Sequence, residues 1–221
     1  MRTALVTGAA RGIGLATADA LQKAGLRVLR LDLRAEIAYD LTDLAGIPKL
    51  IESLGEIHVL VNNAGVQNAV PIDEYTEERK RQILRVNLEA PVELIRAVAK
   101  GMVKRKEGRI VNLASIAAWQ PHPDLWYGIT KAGVVSMTKS FASYLGRHGI
   151  QVNAVAPGPV DTELLKRVDA ARRDSLLKVV YSGRTGRPEE IAAAITWLAT
   201  AAPPIINGAI LDINDGTYSR A

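Results

Sequence analysis

Tyr127 and Lys131 lie four residues apart, and a helix over this segment would place the phenol and the ammonium group on one face. A free phenol has a pKa near 10, so acid–base work near neutral pH needs that pKa lowered by about 3 units, roughly 4 kcal/mol. One positive charge at about 4 Å supplies on the order of 4 kcal/mol at an effective dielectric constant of about 20. The spacing therefore predicts that Lys131 lowers the pKa of Tyr127 and makes it a catalytic acid or base.

Ser115 precedes Tyr127 by twelve residues, a distance that lets a short loop bring its hydroxyl back over the phenol. These three side chains facing a bound nicotinamide ring would form a redox site. Taken alone, a tyrosine and a lysine at this spacing also fit the solvated face of any amphipathic helix. The interpretation therefore depends on the elements around them.

Composition limits the classes of protein that need to be considered. The chain has 221 residues, of which 48% are hydrophobic, and this predicts one domain over residues 1–221 with a large core. There is no cysteine, which excludes disulfides and thiol nucleophiles. His58, His122 and His148 stand on separate segments, so we expect no metal site and structural or solvent-facing roles.

Charge and hydropathy give further expectations about partners and location. The net charge is +5, but the basic residues are scattered and interrupted by acids, so we expect no nucleic-acid partner. No apolar run reaches the length of a membrane span, and Met1 is followed almost at once by a strand-like segment. We therefore expect a cytoplasmic protein without a membrane anchor.

The first thirty residues have the layout of a dinucleotide-binding unit. Thr3–Thr7 is an apolar run typical of a buried strand, and it leads into glycines at 8, 12 and 14. A helix pattern then runs to Gly25, Leu26–Leu31 predicts a second strand, and Asp32 stands at its end.

The chemistry of this layout is specific. Glycines allow the main chain to approach a pyrophosphate closely, and the start of the following helix offers free N–H groups. Asp32 would accept hydrogen bonds from the adenosine ribose and repel a 2′-phosphate. A glycine-rich loop by itself also fits an ordinary tight turn, but the acid eighteen residues after Gly14 favours dinucleotide binding.

Strand and helix patterns alternate along the rest of the chain. We predict strands at Ile37–Tyr39, Ile57–Val61, Arg109–Leu113, Ile150–Val155 and Ile210–Ile213. We predict helices at Leu44–Leu54, Tyr75–Val86, Pro91–Lys106, Tyr127–Leu145 and Pro188–Thr200. Residues 161–187 show no clear helical or strand periodicity, which indicates short helices or a mobile substrate flap. The alternation predicts an α/β fold of the Rossmann type: a doubly wound parallel sheet of about seven strands, with helices on both faces.

Five motifs in the same order resemble the short-chain dehydrogenase/reductase family, in the branch with a Thr-Gly-x-x-x-Gly-x-Gly loop. They are Thr7–Gly14 (TGAARGIG), Asn62–Gly65 (NNAG), Asn87, the set of Ser115, Tyr127 and Lys131, and Pro157–Thr162 (PGPVDT).

The resemblance implies oxidation of a secondary alcohol, or reduction of a ketone or aldehyde, with NAD(P)(H). It implies that Tyr127 transfers the proton, that Lys131 tunes Tyr127 and holds the nicotinamide ribose, and that Ser115 binds the substrate oxygen. It further implies that Asn87 anchors a water linking Lys131 to solvent. Hydride transfer is the cofactor's chemistry, so these side chains have only to move a proton and stabilise an oxygen.

Seventeen positions are candidates for cofactor contact on this basis. They are Gly8, Arg11, Gly12, Ile13, Gly14, Asp32, Asp40, Leu41, Asn63, Ala64, Gly65, Tyr127, Lys131, Pro157, Gly158, Val160 and Thr162. Asp40 and Leu41 would face the adenine, and Thr162 could also cap the next helix.

Residues of opposite charge bear on the choice of cofactor. Asp32 favours NAD(H), and family members with Asp at the end of the second strand generally use it. Arg11 and Arg34 could instead stabilise a 2′-phosphate, although Arg11 also fits a solvent-facing loop residue. We expect NAD(H), with NADP(H) as the alternative.

The sequence leaves the substrate open. We expect a pocket framed by Ser115–Trp119, His122, Trp126, Gly158 and Pro159, and the 161–181 flap. Trp119 and Trp126 would form an apolar wall, or else plain core. A basic set could receive the phosphate or carboxylate of a thioester substrate, or be a solvated helix face; it consists of Lys166, Arg167, Arg172 and Arg173.

Two readings of the whole chain stand beside the small-molecule enzyme. One is a sensor that binds the dinucleotide without catalysis, and the other is a 3-oxoacyl or 3-hydroxyacyl thioester enzyme. Family members also commonly pair the helices matching 91–106 and 127–145, so we expect a dimer or tetramer. The chain is shorter than is usual for the family, and the losses around 33–56 and 161–187 put the size of the substrate flap in doubt.

Overall fold

Parallel strands organise the computed structural model, which describes residues 1–68, 70–166 and 170–219, without the side chains of 164, 166 and 170–173. Within these ranges one seven-stranded sheet has the order β3-β2-β1-β4-β5-β6-β7. Its strands are β1 (Thr3–Thr7), β2 (Arg27–Asp32), β3 (Ile37–Ala38), β4 (Val59–Asn62), β5 (Gly108–Leu113), β6 (Ile150–Pro157) and β7 (Ile210–Ile213). Every neighbouring pair is parallel, as predicted.

Helices connect the strands and cover both faces of the sheet. They are α1 (Gly12–Lys23), α2 (Ile47–Leu54), α3 (Glu77–Leu84), α4 (Ala90–Arg105), α5 (Leu125–Gly146), α6 (Glu163–Lys166), α7 (Ala170–Leu177) and α8 (Pro188–Thr200). Short 3₁₀ turns occur at Ile72–Glu74 and Ile116–Ala118. No helix in the described part of the chain is long and apolar enough to span a bilayer.

The core has two halves because each parallel strand is buried on both faces. Helices α2, α4 and α5 pack on one face, where Ile47, Leu94 and Val134 join the inner residues of the strands. Helices α1 and α8 pack on the other face through Leu21 and Ile195. The predicted doubly wound fold is therefore confirmed.

The helix predicted over 75–86 is interrupted in the structure. Thr76 caps α3, its Oγ1 accepting from the Arg79 N–H at 3.3 Å, and Arg85–Glu89 then forms a single π-helical turn. Such turns are frequent at functional sites, and this one contains Asn87.

Helices α5 and α2 also begin at residues that differ from those predicted. Helix α5 begins at Leu125, because Asp124 caps it by accepting from the Tyr127 N–H at 3.1 Å. Helix α2 begins at Ile47 rather than Leu44, with a proline in its first turn.

The 161–187 region forms the short helices α6 and α7, while its residues 167–169 lie outside the described ranges. Val160 pairs with Gly186 in a parallel bridge. The Asp161 N–H donates to the Gly186 oxygen at 2.9 Å, and the Gly186 N–H donates to the Pro159 oxygen at 2.9 Å. The two ends of this segment are therefore joined to each other.

Candidate active site

A crevice opens between the carboxyl ends of β1 and β4, where the strand order reverses direction. This switch point is the general ligand site of doubly wound sheets. Thr7 ties its two sides together: its Oγ1 donates to the Val61 oxygen at 3.4 Å. Thr7 Oγ1 in turn accepts from the N–H groups of Asn63 and Ala64 at 3.1 and 3.0 Å.

The glycine loop lines one wall of the crevice. Gly8 and Gly12 have φ angles of +67° and +55°, a region that glycine adopts without steric cost. Gly14 in the first turn of α1 lies against the Gly8 oxygen, so an added Cβ would overlap it. This close approach leaves main-chain N–H groups at the start of α1 facing the crevice, which suits a pyrophosphate.

The first cavity in the crevice has a volume of about 330 Å³. Twelve of the predicted cofactor residues line it: Gly8, Arg11, Gly12, Ile13, Gly14, Asp32, Asp40, Leu41, Asn63, Ala64, Gly65 and Thr162. It is also lined by residues that the sequence analysis did not select, among them Leu33, Tyr39, Thr42, Val66, Gln67, Gln82, Val86 and Glu163. The cavity has the donors and the room for the adenosine and diphosphate parts of a dinucleotide.

Asp32 stands at one end of this cavity, half-buried. Its Oδ2 accepts from the Ala10 N–H at 3.4 Å and its Oδ1 from the Arg34 N–H at 3.3 Å. Arg11 is exposed and lines the same cavity. Arg34 is exposed too and is not among the described lining residues.

A second cavity of about 420 Å³ adjoins the first. Ile13, Gln67, Leu113 and Thr162 line both. Ser115 and Tyr127 line only the second, as do Pro157, Gly158 and Val160. The predicted catalytic hydroxyls thus lie in a pocket that opens onto the dinucleotide cavity.

Ser115, Tyr127 and Lys131 are brought together by β5 and α5. Ser115 and Tyr127 line the same cavity, and Ser115 Oγ accepts from the Ala117 N–H at 3.2 Å. Lys131 is 3% exposed; its Nζ lies 5.5 Å from the centre of the Tyr127 ring and donates to the Leu113 oxygen at 2.7 Å. The hydroxyl and the phenol therefore line the second cavity, and the ammonium group lies beside the phenol ring, although Lys131 is not among the described lining residues of either cavity.

The direction of the Tyr127 pKa shift differs from the prediction. Burial raises the pKa of Tyr127 to about 12, the hydrogen bond from Ser115 lowers it, and the charge of Asp124 raises it. Burial also lowers the pKa of Lys131 to about 8. Removal from water disfavours both charged groups, and Lys131 is not among the groups that shift the Tyr127 pKa. That Lys131 lowers the pKa of Tyr127 stays a prediction.

Asn87 connects the π-helical turn to the loop after β4. Its Oδ1 accepts from the Val66 N–H at 2.8 Å, and its Nδ2 donates to the Val66 oxygen at 2.9 Å and to Thr130 Oγ1 at 3.2 Å. A Cβ added to Gly65 would lie 3.6 Å from Asn87 Oδ1 and 3.8 Å from Lys131 Nζ. Glycine therefore keeps open the space beside these two polar atoms.

The predicted substrate wall is only partly observed. Ser115, Ile116, Ala117, His122 and Pro159 line the second cavity, together with Leu165 and Leu176 from the flap. The two tryptophans are not among the described lining residues: Trp119 stacks on Tyr218 at 5.9 Å between ring centres, and Lys80 lies over Trp126 at 5.6 Å.

The side chains of Lys166, Arg172 and Arg173, and all of Arg167, lie outside the described part of the structure. Gln67 and Gln120, which the sequence analysis did not select, also line the second cavity. The position of Gln67 two residues after the NNAG loop was the signal that could have found it.

Comparison with known proteins gives the family. Residues 8–218 match the family described as "Enoyl-(Acyl carrier protein) reductase", a branch of the short-chain dehydrogenases/reductases. The chain belongs to the short-chain dehydrogenase/reductase family. It is accordingly an NAD(P)-dependent oxidoreductase.

Individual relatives resemble the chain over almost its full length. The 3-oxoacyl-[acyl-carrier-protein] reductase of Vibrio cholerae is 34% identical over 98% of this chain and 97% of the relative. The D-threitol dehydrogenase of Mycolicibacterium smegmatis is 37% identical over 99% of this chain and 93% of that relative. One similar crystal structure is described as a putative NAD(P)-dependent gluconate 5-dehydrogenase from Beutenbergia cavernae with NADP bound at low occupancy. It has a TM-score of 0.93 and 33% sequence identity, over 98% of this chain and 96% of that one.

Proposed function

We propose that the chain interconverts a secondary alcohol and a ketone or aldehyde, with Tyr127 as the acid or base. The observation that carries this is that Ser115 and Tyr127 line one cavity, which shares four lining residues with the first cavity, while Lys131 Nζ lies 5.5 Å from the centre of the Tyr127 ring. A carbonyl oxygen placed between these two hydroxyls would sit beside the route of hydride transfer.

In the proposed reduction, Ser115 donates a hydrogen bond to the substrate oxygen and fixes its position. Tyr127 gives its hydroxyl proton to that oxygen, and Lys131 supplies a positive charge that stabilises the phenolate left behind. Bound nicotinamide supplies the hydride to the carbonyl carbon, or accepts it in oxidation. The raised pKa of Tyr127 keeps the phenol protonated near neutral pH, which suits the acid role.

We propose cofactor contacts for residues of both cavities and for Lys131 beside Tyr127. Main-chain N–H groups after Gly12 would bind the pyrophosphate, and Asp40 and Leu41 would border the adenine. Tyr127 and Lys131 would hold the nicotinamide ribose, while Pro157, Gly158, Val160 and Thr162 would hold the nicotinamide end. Asn87 would anchor a water beside Lys131, in the space that Gly65 leaves open.

We also propose that NAD(H) is preferred to NADP(H). The Asp32 carboxylate lies in the first cavity, where it would accept from ribose hydroxyls and repel a 2′-phosphate. Arg11 on the same cavity favours the alternative, as does the NADP in the Beutenbergia cavernae structure. We expect Asp32→Ala to raise the efficiency with NADPH relative to NADH about tenfold or more, and Arg11→Ala to lower it. Higher kcat/KM with NADPH in the unmodified protein would overturn the preference.

A second candidate function is the reduction of a 3-oxoacyl thioester, which the Vibrio cholerae relative's name favours. Both candidates predict the same catalytic residues but different substrates. A panel of ketones, sugar acids, polyols and 3-oxoacyl thioesters, followed by nicotinamide absorbance with both cofactors, would separate them.

The decisive test of the reaction is Tyr127→Phe. It should reduce turnover by at least a thousandfold with NADH affinity nearly unchanged, since only the proton donor is lost. Tyr144→Phe, at an exposed residue on the same helix (63% exposed), is the matched control. Full turnover by Tyr127→Phe would contradict the mechanism, and absence of turnover in the unmodified protein despite tight dinucleotide binding would support the sensor reading.

Several organisational expectations remain proposals. We propose one domain over 1–221 with a substrate flap at 161–187, acting on a small molecule. We further propose a dimer or tetramer through the outer faces of α4 and α5, which light scattering would test. A cytoplasmic location stays a prediction for cell fractionation.

A further inference from the structure

Asp124 is a fully buried carboxylate (0% exposed) at the N-cap of α5. Its Oδ1 accepts from the Tyr127 N–H at 3.1 Å and from the Tyr75 hydroxyl at 3.2 Å. Its Oδ2 accepts from the Asn68 N–H at 2.6 Å. Three donors directed at two oxygens suit an ionised carboxylate, which accepts hydrogen bonds and donates none.

The same carboxylate anchors the loop after β4. Asn68 is held by Asp124, and Val66 is held by Asn87 through two hydrogen bonds. Gln67 lies between these anchors and lines both cavities. Asp124 therefore links the first turn of the helix that carries Tyr127 to the wall shared by the cofactor and substrate cavities.

Other charged and titratable groups surround Tyr127. Lys131, on the same helix, lies 5.5 Å from the ring centre. The His122 ring, in the preceding loop, lies 4.9 Å from it at a tilt of 42°, and its Nδ1 accepts from the Asp124 N–H at 3.1 Å. Ser115, two residues after the end of β5, lines the same cavity as Tyr127 and lowers the pKa of the phenol.

Further groups from neighbouring elements act on the surroundings of Asp124. The Tyr75 hydroxyl also accepts from Asn68 Nδ2 at 3.1 Å. Burial raises the pKa of Tyr75, the Asn68 bond lowers it, the Asp124 charge and hydrogen bond raise it, and Arg79 lowers it. Lys80 of α3 lies over the Trp126 ring at 5.6 Å.

We propose that Asp124 is a positioning residue: its hydrogen bonds lock residues 66–68 against α5, and its buried negative charge at the start of the helix that carries Tyr127 adds to the effect of burial in disfavouring the phenolate. This rests on the proposed function, since it assigns Tyr127 the acid–base role. The protonated phenol is the form that donates in carbonyl reduction, whereas alcohol oxidation needs the phenolate. Near neutral pH the phenol stays protonated with or without this charge, so reduction keeps its proton donor; Asp124 lowers the phenolate fraction and moves alcohol oxidation to higher pH, without changing the equilibrium of the reaction.

The test reads the protonation of Tyr127 directly and needs no substrate. Each protein is titrated with base as its NAD⁺ complex, and phenolate absorbance is recorded in the near ultraviolet. The titration curve of the same protein carrying Tyr127→Phe is subtracted, which separates the signal of Tyr127 from that of the other tyrosines, of which the chain has six in all. Asp124→Asn removes the charge and keeps the shape, and Asp124→Ser removes the charge and keeps an N-cap acceptor.

Tyr75→Phe is the matched control, because it removes one hydrogen bond to Asp124 and leaves the charge in place. We expect the Tyr127 phenolate to appear about one pH unit lower in both Asp124 variants, or about tenfold more phenolate at a fixed pH below the midpoint. We expect the Tyr127 phenolate to appear at the same pH in Tyr75→Phe as in the unmodified protein. We expect Asp124→Glu, which keeps the negative charge, to show the same higher midpoint.

Unchanged titration in both Asp124 variants would overturn the proposal, and so would an equal shift in Tyr75→Phe, which would assign the effect to packing. Neither result bears on the reaction itself. Full turnover by Tyr127→Phe is the separate result that would remove the proposed function, so the two failures are distinguishable.

Discussion

The side-chain amide of Asn63 donates a 3.2 Å hydrogen bond to the main-chain oxygen of Gly8. The same nitrogen donates to the Thr7 oxygen at 2.9 Å. One residue after β4 thus fixes the turn after β1, and the glycine loop is held in shape before any ligand arrives. Preorganisation of this kind lowers the cost of binding.

Replacement of Asn63 by Ala should therefore weaken dinucleotide binding about tenfold, because two hydrogen bonds that shape the loop are lost. Calorimetric titration with NADH and NADPH would measure the change. Asn153→Ala is the control: Asn153 bonds the Ile206 oxygen and the Ala209 N–H at 2.8 and 2.9 Å, outside both cavities. It should lower stability and leave affinity unchanged; equal losses of affinity in both variants would contradict the assignment.

Gly14→Ala should destabilise the protein by about 2 kcal/mol or more and abolish dinucleotide binding. The added Cβ would overlap the main-chain oxygen of Gly8 and the Asn63 amide, and main chain cannot move aside cheaply. Gly101→Ala in α4 is the matched helical control, because its Cβ would meet only the flexible end of Arg105 at 3.1 Å. That change should stabilise by about 0.5–1 kcal/mol. Chemical denaturation of both variants gives the comparison.

Lys131→Met should make the protein more stable at pH 7 by roughly 1–2 kcal/mol while it removes activity. Burial lowers the pKa of Lys131 from 10.5 to about 8, so the folded state loses its proton before the unfolded state does. Between these values the unfolded chain binds more protons, and the stability of the unmodified protein rises with pH. The advantage of Lys131→Met should therefore shrink from pH 8 to 10.5, as urea denaturation would measure. A constant difference would contradict the buried charge.

His58→Gln should reduce the decrease in the free energy of unfolding that occurs in mild acid. His58 Nδ1 accepts from the Thr3 N–H at 3.2 Å, and burial, followed by the charge of Arg105, lowers the His58 pKa from 6.5. As the pH falls below about 6.5, the unfolded chain takes up a proton that the folded state resists, so stability decreases. Urea denaturation at pH 7 and 5 should show a smaller decrease in His58→Gln. Parallel losses in the two proteins would assign the acid sensitivity to other groups.

Much of the fold was predictable because parallel strands leave a strong local signal. Runs such as Thr3–Thr7 are buried on both faces, so they are apolar throughout, and Gly8 marks where β1 must turn. Helix starts were less predictable. Asp124 and Thr76 set the beginnings of α5 and α3 through side-chain caps, which depend on main-chain geometry rather than on periodicity.

The site was predictable as a set of residues but not as an electrostatic environment. The spacing of Tyr127 and Lys131 brought them to one face, as expected. Both pKa values depend on burial, which only the folded chain provides, and that of Tyr127 depends also on the charge of Asp124. The π-helical turn at Asn87 leaves no periodic signal at all, and the wall contributed by Gln67 depends on two anchors from other elements.

The bridge between Val160 and Gly186 clamps both ends of the 161–187 segment to the same corner of the sheet. When the two ends of a segment are fixed, the entropic cost of closing the loop changes little with its length. Insertions, deletions or wholesale replacement between these two residues should therefore leave the sheet and the glycine loop intact. Grafting other segments at this position should therefore change the range of substrates while the rest of the fold is kept.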